Sequence, residues 1–372
     1  MINKIVAGTS HTGGANAIIP VINELRRSNE VILLGAKPSK KPIEEAILTY
    51  QYCEDDSLEN CREYVNDVLD KENPDLVVSG TNTYEDRNGL DRELVISARQ
   101  RNIPSVSIMD MGLFLKKRFN DFKTGKDYVC FPDILTVPDE GTKLKLKEYE
   151  NRSQIIVAGN PEFDSLENKL REFETSGNIL KIRKEYCQDS GCLIYYAGGI
   201  FKNSGFSYWD LDAINMIREG IEKTNGPAKL VFNLHPRMPE EQVKEIDSLI
   251  ANDKRVKRAS GISGDHLMYS SDLTVGAVST LVIKAALLQI PSLSLQPGAE
   301  IGWENDLTSN TSGASYFVNS KSQLNDFLRG FIPANDRQAY MDSVLPKRLN
   351  YVSDGKSTQR IVEIINNRIG IL

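Results

Sequence analysis

The sequence predicts an α/β protein made of two doubly wound parallel-sheet domains, and three observations lead to this prediction. The chain has 372 residues, which is more than a single hydrophobic core usually serves, so two domains are expected. Short apolar runs alternate along the chain with longer segments of helical period, as in parallel βα units. The runs are nearly continuous in Val, Ile and Leu, which is typical of strands covered by helices on both faces.

In the first half, the apolar runs predict seven strands, at residues 4–8, 30–35, 75–80, 105–110, 128–131, 134–138 and 155–159. The main helical segments between them are 14–28, 58–72 and 89–102. An N-terminal α/β domain is therefore expected over residues 1–165. The polar, helix-forming segment after it is expected to be a linker over residues 166–190.

A second series of strands follows, at residues 192–199, 229–236, 273–279 and 291–297. Helical segments accompany them at 210–224, 239–252, 280–289 and 321–331. This series predicts a C-terminal domain over residues 191–345. Residues 346–372 contain a last helix, which is expected to pack across the domain junction. The two sheets are expected to face a central cleft, because ligands of parallel sheets bind at the carboxyl ends of the strands.

Composition and charge narrow the class of protein. The net charge is −6, so no broad basic surface predicts nucleic acid as a partner. The N-terminus enters a strand without a signal-peptide pattern, and no apolar run approaches ~18 residues. A cytoplasmic protein, at most peripheral to a membrane, is expected. The five cysteines form no CxxC pair and indicate reduced thiols and no metal site. A homo-oligomer is compatible with the sequence.

The first strand runs into the segment GTSHTGGANAII, which contains His11, Gly13 and Gly14. Glycines at the start of a helix allow backbone N–H groups to approach an anion. The segment lacks both the GxGxxG dinucleotide pattern and the GxxxxGK[ST] P-loop. We expect it to line a ligand-binding loop, with His11 as a contact for acceptor or phosphate. The alternative is a tight turn in which the glycines only shape the backbone.

Three further strand ends of the first half carry polar residues. Asp110 ends the fourth predicted strand and Arg118 follows on the next segment, so Asp110 is a candidate general base for an acceptor hydroxyl. The alternative is that Asp110 caps a turn. Glu140, after Asp139 at another strand end, is a secondary candidate that helix capping also explains. Asn160 follows the last strand, where turn chemistry explains most of the pattern.

In the second half, three strand ends carry small or polar residues: Gly198-Gly199, His235-Pro236-Arg237 and Ser279-Thr280. The glycine pair permits close approach of backbone to ligand. A Ser-Thr pair at a helix start offers hydroxyls and N–H groups to a phosphate, although it is also an ordinary helix cap. Because these ends belong to one predicted sheet, together they indicate a nucleotide-diphosphate site.

These segments resemble the GT-B superfamily of glycosyltransferases, in the branch with the peptidoglycan N-acetylglucosaminyltransferase, lipid A disaccharide synthase and the non-hydrolysing UDP-GlcNAc 2-epimerases. The similarity follows the order of motifs along nearly the whole chain, from GTSHTGGANAIIPVINELRR through PDLVVSGTNTYED to LVFNLHPR and DLTVGAVSTLVIKAALLQIPSLSL. The resemblance implies a GT-B-like fold of two Rossmann-type domains. The histidine-proline and serine-threonine motifs also resemble bacterial sialyltransferases that use CMP-sugars, and the triplet Asp139-Glu140-Gly141 resembles their acidic motif.

The resemblance implies roles for individual residues. It places Gly13 and Gly14 at the cleft and Asp110 near the acceptor. It further implies that the donor's phosphates or sugar contact His235, Arg237, Ser279 and Thr280. Many UDP-sugar enzymes of this fold bind the ribose through a glutamate in the helix after the serine-rich strand end. This sequence has Lys284 there, and a lysine cannot accept those hydrogen bonds. Either another residue accepts them, or the nucleotide differs, or Lys284 pairs with phosphate.

The function expected from these features is that of a metal-independent glycosyltransferase of bacterial surface-polysaccharide biosynthesis. It would move a sugar from a UDP- or CMP-linked donor to a glycan or glycolipid acceptor, with no cofactor beyond these substrates. Asp110, or otherwise His11 or Glu140, would take the acceptor's proton, and His235 would stabilise the leaving phosphate. The alternatives are a nucleotide-sugar 2-epimerase and a non-catalytic nucleotide- or sugar-binding protein on the same fold.

Overall fold

The computed structural model describes residues 2–55, 57–82, 89–120, 129–187, 191–203, 206–235, 238–299, 315–334 and 353–370. The chain divides into two compact units, of which the first comprises Met1–Ser165 with Asn350–Leu372 and the second Leu166–Leu349. Each unit is built around one parallel β-sheet. The predicted fold class of two Rossmann-type α/β domains is therefore confirmed.

The first unit contains a seven-stranded sheet in the order β3-β2-β1-β4-β5-β6-β7. Its strands are β1 Lys4–Thr9, β2 Glu30–Ala36, β3 Gln51–Cys53, β4 Leu76–Ser79, β5 Ser105–Ile108, β6 Ile134–Val137 and β7 Gln154–Val157. All neighbours pair in parallel, and β1 pairs with β2 on one side and β4 on the other. The strand order reverses between β1 and β4, which is the point where ligands bind in open α/β sheets.

The second unit repeats this plan with six parallel strands in the order β10-β9-β8-β11-β12-β13. They are β8 Cys192–Ala197, β9 Ala228–Asn233, β10 Val256–Arg258, β11 Leu273–Gly276, β12 Ser292–Leu295 and β13 Tyr316–Val318. The central strand β8 pairs with β9 and β11. The reversal of strand order therefore lies between the loops that follow β8 and β11.

Helices connect the strands in both units. Those of the first unit are α1 Thr12–Leu25, α2 Lys40–Glu45, α3 Leu58–Glu72, α4 Leu90–Gln100, α5 Leu115–Phe119, α6 Glu140–Lys145 and, at the end of the chain, α14 Ser357–Arg368. Those of the second unit are α7 Leu166–Thr175, α8 Asn178–Tyr186, α9 Asp210–Glu222, α10 Glu240–Ile250, α11 Gly264–Ser270, α12 Thr280–Leu287 and α13 Lys321–Ala334. In the described parts of the chain, none of them is long and apolar enough to cross a bilayer.

Alternating side chains of β1 show why helices cover both faces of the first sheet. Ile5 and Ala7 belong to one buried cluster, with residues of α1 and α14, whereas Val6 belongs to another, with residues of α3 and α4. Successive side chains of a strand point to opposite faces, so a strand that is apolar at every position needs a cover on each side. The continuous Val, Ile and Leu pattern of the sequence thus corresponds to double burial.

The last helix, α14, is part of the first unit. Its Ile361 and Ile365 are fully buried in the cluster that contains α1. Asp164, almost two hundred residues earlier, accepts hydrogen bonds from the backbone N–H groups of Ser357 (3.0 Å) and Thr358 (2.7 Å). A carboxylate at this place satisfies N–H groups that have no partner within the helix.

Some predicted elements differ from those observed. The predicted strand at 128–131 is wrong for its described residues, because 129–131 form a turn and a loop. Phe131 is buried there because its ring lies 4.3 Å from that of Phe119 and 5.5 Å from that of Tyr149, so the apolar run marks packing and not a strand. Within the helix-forming segment expected as a linker, α7 spans Leu166–Thr175 and α8 spans Asn178–Tyr186.

Three strands, β3, β10 and β13, are absent from the prediction. Each has three residues and lies at an edge of its sheet. Edge strands of natural sheets are often short, and three residues give too brief a pattern to distinguish from a loop.

All five cysteines are free and buried in the structure.

A buried carboxylate shapes the loop between β1 and α1. Asp91, in the first turn of α4, is 1% exposed and accepts hydrogen bonds from the backbone N–H (2.8 Å) and the hydroxyl of Ser10. An added Cβ at Gly80 would lie 2.5 Å from Oδ1 of the same side chain. The hydrogen bonds of Asp91 thus connect the loop after β1 to the start of α4, and its carboxylate leaves no room for a side chain at residue 80.

A second buried carboxylate binds the loop after the central strand of the second unit. Asp210, the first residue of α9, is fully buried and accepts hydrogen bonds from the backbone N–H groups of Gly199 (2.9 Å) and Ile200 (3.0 Å) and from the hydroxyl of Tyr196 (2.8 Å). Burial raises the pKa of Asp210, while the backbone N–H groups oppose that rise. The loop after β8 is thus folded around a carboxylate of the helix that follows it.

The pH dependence of stability should report the burial of Asp91. Burial raises the pKa of Asp91 to about 6 from 3.8, so the folded protein binds its proton more tightly than the unfolded chain does. The stabilisation is then complete below about pH 4 and is lost as the pH rises through about 6. Relative to Asp91→Asn, the wild type should lose about 2 kcal/mol of unfolding free energy between pH 4 and pH 7.

Urea denaturation of the wild type and of Asp91→Asn at several pH values measures this difference. The asparagine keeps an acceptor for the Ser10 N–H, and every other titrating group is common to both proteins. A difference in stability that stays constant from pH 4 to pH 7 would contradict the expectation.

Candidate functional site

The carboxyl edge of the first sheet brings together two predicted site residues from different βα units. Asp110 follows β5 and is 6% exposed, and Gly13 lies in the first turn of α1. An added Cβ at Gly13 would collide with Oδ2 of Asp110. The carboxylate therefore approaches the start of α1 only because residue 13 has no side chain.

Arg118 holds Asp110 from the other side. Its Nη1 donates to Oδ1 of Asp110 at 2.9 Å and to the carbonyl of Thr81 at 2.6 Å, and its Nε donates to the carbonyl of Leu113 at 2.8 Å. Arg118 is 5% exposed. The guanidinium thus fixes the orientation of the carboxylate, with Oδ1 toward Arg118 and Oδ2 toward Gly13.

His11 and Gly14 have local structural contacts in the same loop. His11 is the N-cap of α1, and its Nδ1 accepts a hydrogen bond from the N–H of Gly13 at 3.3 Å. An added Cβ at Gly14 would lie 2.6 Å from Oγ1 of Thr9. Close packing thus requires glycine at position 14. A contact of His11 with acceptor or phosphate stays a prediction.

Asn160 and Glu140 occupy different surroundings at this edge. Asn160 is fully buried, and its Nδ2 donates to the carbonyl of Asp110 at 3.0 Å while its Oδ1 accepts from the N–H of Glu162 at 2.9 Å. It therefore supports the backbone of Asp110. Glu140 is exposed at the start of α6, where Asp139 is the N-cap and accepts from the N–H of Thr142 at 2.8 Å.

In the second unit, the two predicted glycines contact the protein in different ways. An added Cβ at Gly198 would lie 2.6 Å from Oδ2 of Asp210 and 2.7 Å from the carbonyl of Asn233. Gly199 is exposed, and a Cβ there would meet nothing within 4 Å. Its N–H, however, donates to Asp210, so this N–H is directed into the protein and only the outer face of Gly199 offers close approach to a ligand.

The helix after β11 starts with the predicted Ser-Thr pair. Ser279 is the N-cap of α12, and its hydroxyl accepts from the N–H of Leu281 at 3.3 Å. Ser279 and Thr280 are both half-buried. Ser279 is therefore an ordinary helix cap, which is the alternative considered from the sequence. The hydroxyl of Thr280 belongs to the first residue of the helix.

His235 follows β9 at the same edge. It is half-buried, and its ring meets that of Phe201 edge to face at a centroid distance of 5.4 Å. Its carbonyl accepts a hydrogen bond from the N–H of Met238 at 2.9 Å. Arg237 lies outside the described residues.

Lys284 lies on α12 and forms an ion pair that the sequence does not suggest. Its Nζ lies 3.2 Å from Oδ1 and 3.5 Å from Oδ2 of Asp265, at the start of α11. The lysine side chain is 7% exposed and the aspartate side chain 36%. A carboxylate thus lies beside Lys284, at whose position the resemblance implied a ribose-binding glutamate.

Sequence reasoning missed the residues that shape these loops, namely Asp91, Asp210 and Asp265. Each is an acid in the first turn of a helix, a place where acids are common because they favour the helix dipole. The pattern alone cannot show that Asp91 and Asp210 bind the backbone of a strand-end loop. In the described portion of the chain, no group of three or more His, Cys, Asp or Glu side chains has the arrangement of a metal site.

The carboxyl edges of the two sheets carry groups suited to different chemistry. The first has a carboxylate directed at the start of a helix, an arrangement suited to proton transfer. The second has a histidine on one strand end and hydroxyls with backbone N–H groups on another, an arrangement suited to a phosphate group.

Two solved structures with the same fold contain UDP or UDP-GlcNAc. The UDP-GlcNAc 2-epimerase of Neisseria meningitidis, solved with UDP-GlcNAc, is 16% identical and superposes with a TM-score of 0.71 over 98% of this chain and 100% of its own. The MnaA–UDP complex of S. aureus is 14% identical and superposes with a TM-score of 0.76 over 100% of this chain and 98% of its own. These similarities establish a GT-B-like fold.

Comparison with other sequences identifies the family of this chain. An uncharacterized protein of Methanocaldococcus jannaschii is 22% identical over 203 residues, and this match spans 54% of the present chain and about half, 54%, of that relative. A model of the family described as "Protein of unknown function (DUF354)" matches residues 99–323, which is more than half of the chain. The chain therefore belongs to the DUF354 family.

Proposed function

We propose that this protein acts on a nucleotide-activated sugar by breaking the bond between the anomeric carbon and the phosphate, and that it transfers the sugar to a glycan or glycolipid acceptor. The observation that carries the proposal is the buried Asp110 carboxylate, which Arg118 holds on one side so that its other oxygen points at the start of α1. The GT-B-like fold, shared with proteins solved with UDP or UDP-GlcNAc, supports a nucleotide sugar as donor.

The donor half of the proposal assigns the leaving phosphate to the second unit. Negative charge grows on the phosphate oxygen as the anomeric bond breaks, and donors aimed at that charge lower the barrier. The start of α12, with Ser279 and Thr280, supplies backbone N–H groups and hydroxyls, and His235 supplies an imidazole on the neighbouring side of the sheet. We place the phosphates of the donor there.

The acceptor half assigns proton transfer to Asp110. An acceptor hydroxyl becomes a better nucleophile when a carboxylate takes its proton in the transition state. Asp110 suits this task because its rotamer is fixed by Arg118 and its backbone by Asn160. One correctly oriented carboxylate is enough for such a transfer. We further propose that the reaction serves the assembly of surface polysaccharide in the cytoplasm.

A second candidate function is nucleotide-sugar 2-epimerisation, which the fold similarity to a UDP-GlcNAc 2-epimerase favours. Inversion at C2 requires that the C2–H bond break and re-form on the opposite face. Such a reaction needs no acceptor, and it exchanges the C2 proton with solvent. Transfer and epimerisation therefore leave different products from the same donor.

Incubation with UDP-, CMP- and GDP-sugars in D₂O, with and without glycan acceptors, separates the two functions. We expect one donor to release its nucleotide only when an acceptor is present, with the sugar recovered on that acceptor. A C2-epimer that carries deuterium and forms without acceptor would establish the second function instead. Binding of a nucleotide sugar without turnover under any condition would contradict both.

Removal of the proposed base should affect turnover more than binding. Asp110→Asn keeps the size of the side chain and an acceptor for Arg118, but it cannot take a proton. We expect turnover to fall about 100-fold or more while nucleotide affinity changes only a few-fold. Steady-state kinetics and calorimetric titration measure the two effects.

The matched control is Asp70→Asn. Asp70 also pairs with an arginine, Arg101, at 2.7 Å, but at an exposed site on the same unit. The control variant should keep wild-type turnover. Equal turnover of Asp110→Asn and the wild type would exclude Asp110 as the base.

Substitution of His235 tests the donor half. If the imidazole stabilises charge on the leaving phosphate, His235→Ala should lower turnover about 100-fold, with a smaller loss of ground-state affinity. Phe201→Leu serves as the comparison, because it removes the ring that His235 contacts and keeps the imidazole. A loss of the same size in both variants would indicate that His235 acts only through packing.

A further inference from the structure

A cavity of about 400 Å³ lies in the second unit between α7, the start of α8 and the start of α11. One wall is aromatic: the rings of Phe173 and His266 stack at a centroid distance of 4.4 Å, and Tyr269 lies 5.4 Å from Phe173. The other lining residues are mostly polar, and they include Asp265. The volume is within the range of small-molecule sites, about 300–1,000 Å³, and an aromatic wall is a feature that such sites share.

Asp265 is the lining residue that forms an ion pair with the buried Lys284. Lys284 is almost completely buried, and a buried ammonium group is stable only when an opposite charge accompanies it. Asp265 supplies that charge while about one third of its own side chain stays accessible. The ion pair therefore keeps a carboxylate in one orientation at the cavity wall.

A carboxylate accepts several hydrogen bonds, whereas a lysine accepts none. Lys284 contacts both oxygens of Asp265 through a single ammonium group, which leaves further lone pairs on the carboxylate. Neighbouring hydroxyls of a sugar ring are suitable donors for them. The combination of aromatic wall and carboxylate thus matches a nucleoside, which has a flat base and a ribose diol.

The position of the cavity relative to α12 is consistent with a nucleotide. An added Cβ at Gly264 would lie 2.8 Å from Cδ1 of Leu281, so the start of α11 adjoins the start of α12. Asp265 is the next residue along α11, and Ser279-Thr280 directly precede Leu281. A nucleoside in the cavity would therefore have its 5′ phosphate near the hydroxyls proposed to bind it.

We infer that the cavity between α7 and α11 holds the nucleoside of the donor and that Asp265, held by Lys284, accepts hydrogen bonds from its ribose hydroxyls. The inference rests on the proposed function. It assigns the acceptor for the ribose hydroxyls to Asp265 on α11, because Lys284 on α12 cannot accept hydrogen bonds. It makes the Asp265–Lys284 pair a determinant of specificity for ribonucleotides over 2′-deoxynucleotides.

Calorimetric titration with UDP and CMP, each beside its 2′-deoxy counterpart, tests the inference. For the nucleotide that binds, the wild type should prefer the ribose form about 10-fold or more, the effect of a hydrogen bond to a charged group. Asp265→Ala alone would leave Lys284 buried without this partner, so the test variant is Asp265→Ala with Lys284→Met. That double variant should bind both forms with the affinity of the wild type for the deoxynucleotide.

The control is Asp247→Ala, which breaks an exposed ion pair of the same unit with Arg258 at 3.0 Å. It should keep the full preference for ribose, and circular dichroism should show the same fold in all three proteins. A ribose preference that persists in the double variant, or its absence from the wild type, would overturn the inference and leave the proposed function standing. A wild type that binds no nucleotide or nucleotide sugar would contradict the proposed function itself.

Discussion

Two buried aspartates determine the shape of the loops at which both sheets end. Asp91 and Asp210 lie in the first turns of helices at the points where the strand order reverses. Asp91 accepts hydrogen bonds from the N–H and hydroxyl of Ser10, and Asp210 accepts them from the N–H groups of Gly199 and Ile200. A buried carboxylate needs hydrogen-bond donors, and the two loops supply them through Ser10 in the first unit and through Gly199 and Ile200 in the second. The same constraint directs the N–H of Gly199 into the protein and keeps the loop before α1 against the end of β4. Among the candidate site residues, His11, Gly13, Gly14, Gly198 and Gly199 lie on these two loops or directly after them, whereas the others follow different strands.

The arrangement explains why glycines recur at these loops. Gly13, Gly14 and Gly198 each have another group where a Cβ would stand: an oxygen of Asp110, the hydroxyl of Thr9, and Asp210 with a backbone carbonyl. Close packing of backbone against polar groups thus accounts for most of them, and access to a ligand is left to Gly199. The carboxylate of Asp110 in turn depends on three contacts, with Gly13, Arg118 and Asn160, that come from separate βα units.

Much of the fold could be predicted because strands buried on both faces must be apolar at every position. Ile5, Val6 and Ala7 are an example, since their alternate burial requires helices on each side. The same argument fails for buried residues that do not belong to a strand. Phe131 is one of them, because it lies in a loop and is buried by stacking on other rings. It also fails for β3, β10 and β13, whose edge positions need only three residues. The strand-end residues Asp110, His235 and Ser279 were found because polar residues directly after apolar runs are conspicuous.

By itself, then, the sequence determined the two Rossmann-type domains and the strand ends that carry polar residues, since local patterns of polarity encode both. Only the tertiary structure decided which side chains meet. Arg118 reaches Asp110, Asp210 reaches Gly199, and Lys284 reaches Asp265 through contacts between separate elements. Lys284 shows the physical reason. A lysine on an apolar helix gives no sign of its partner, because the compensating charge lies nineteen residues earlier and is set by how α11 packs on α12.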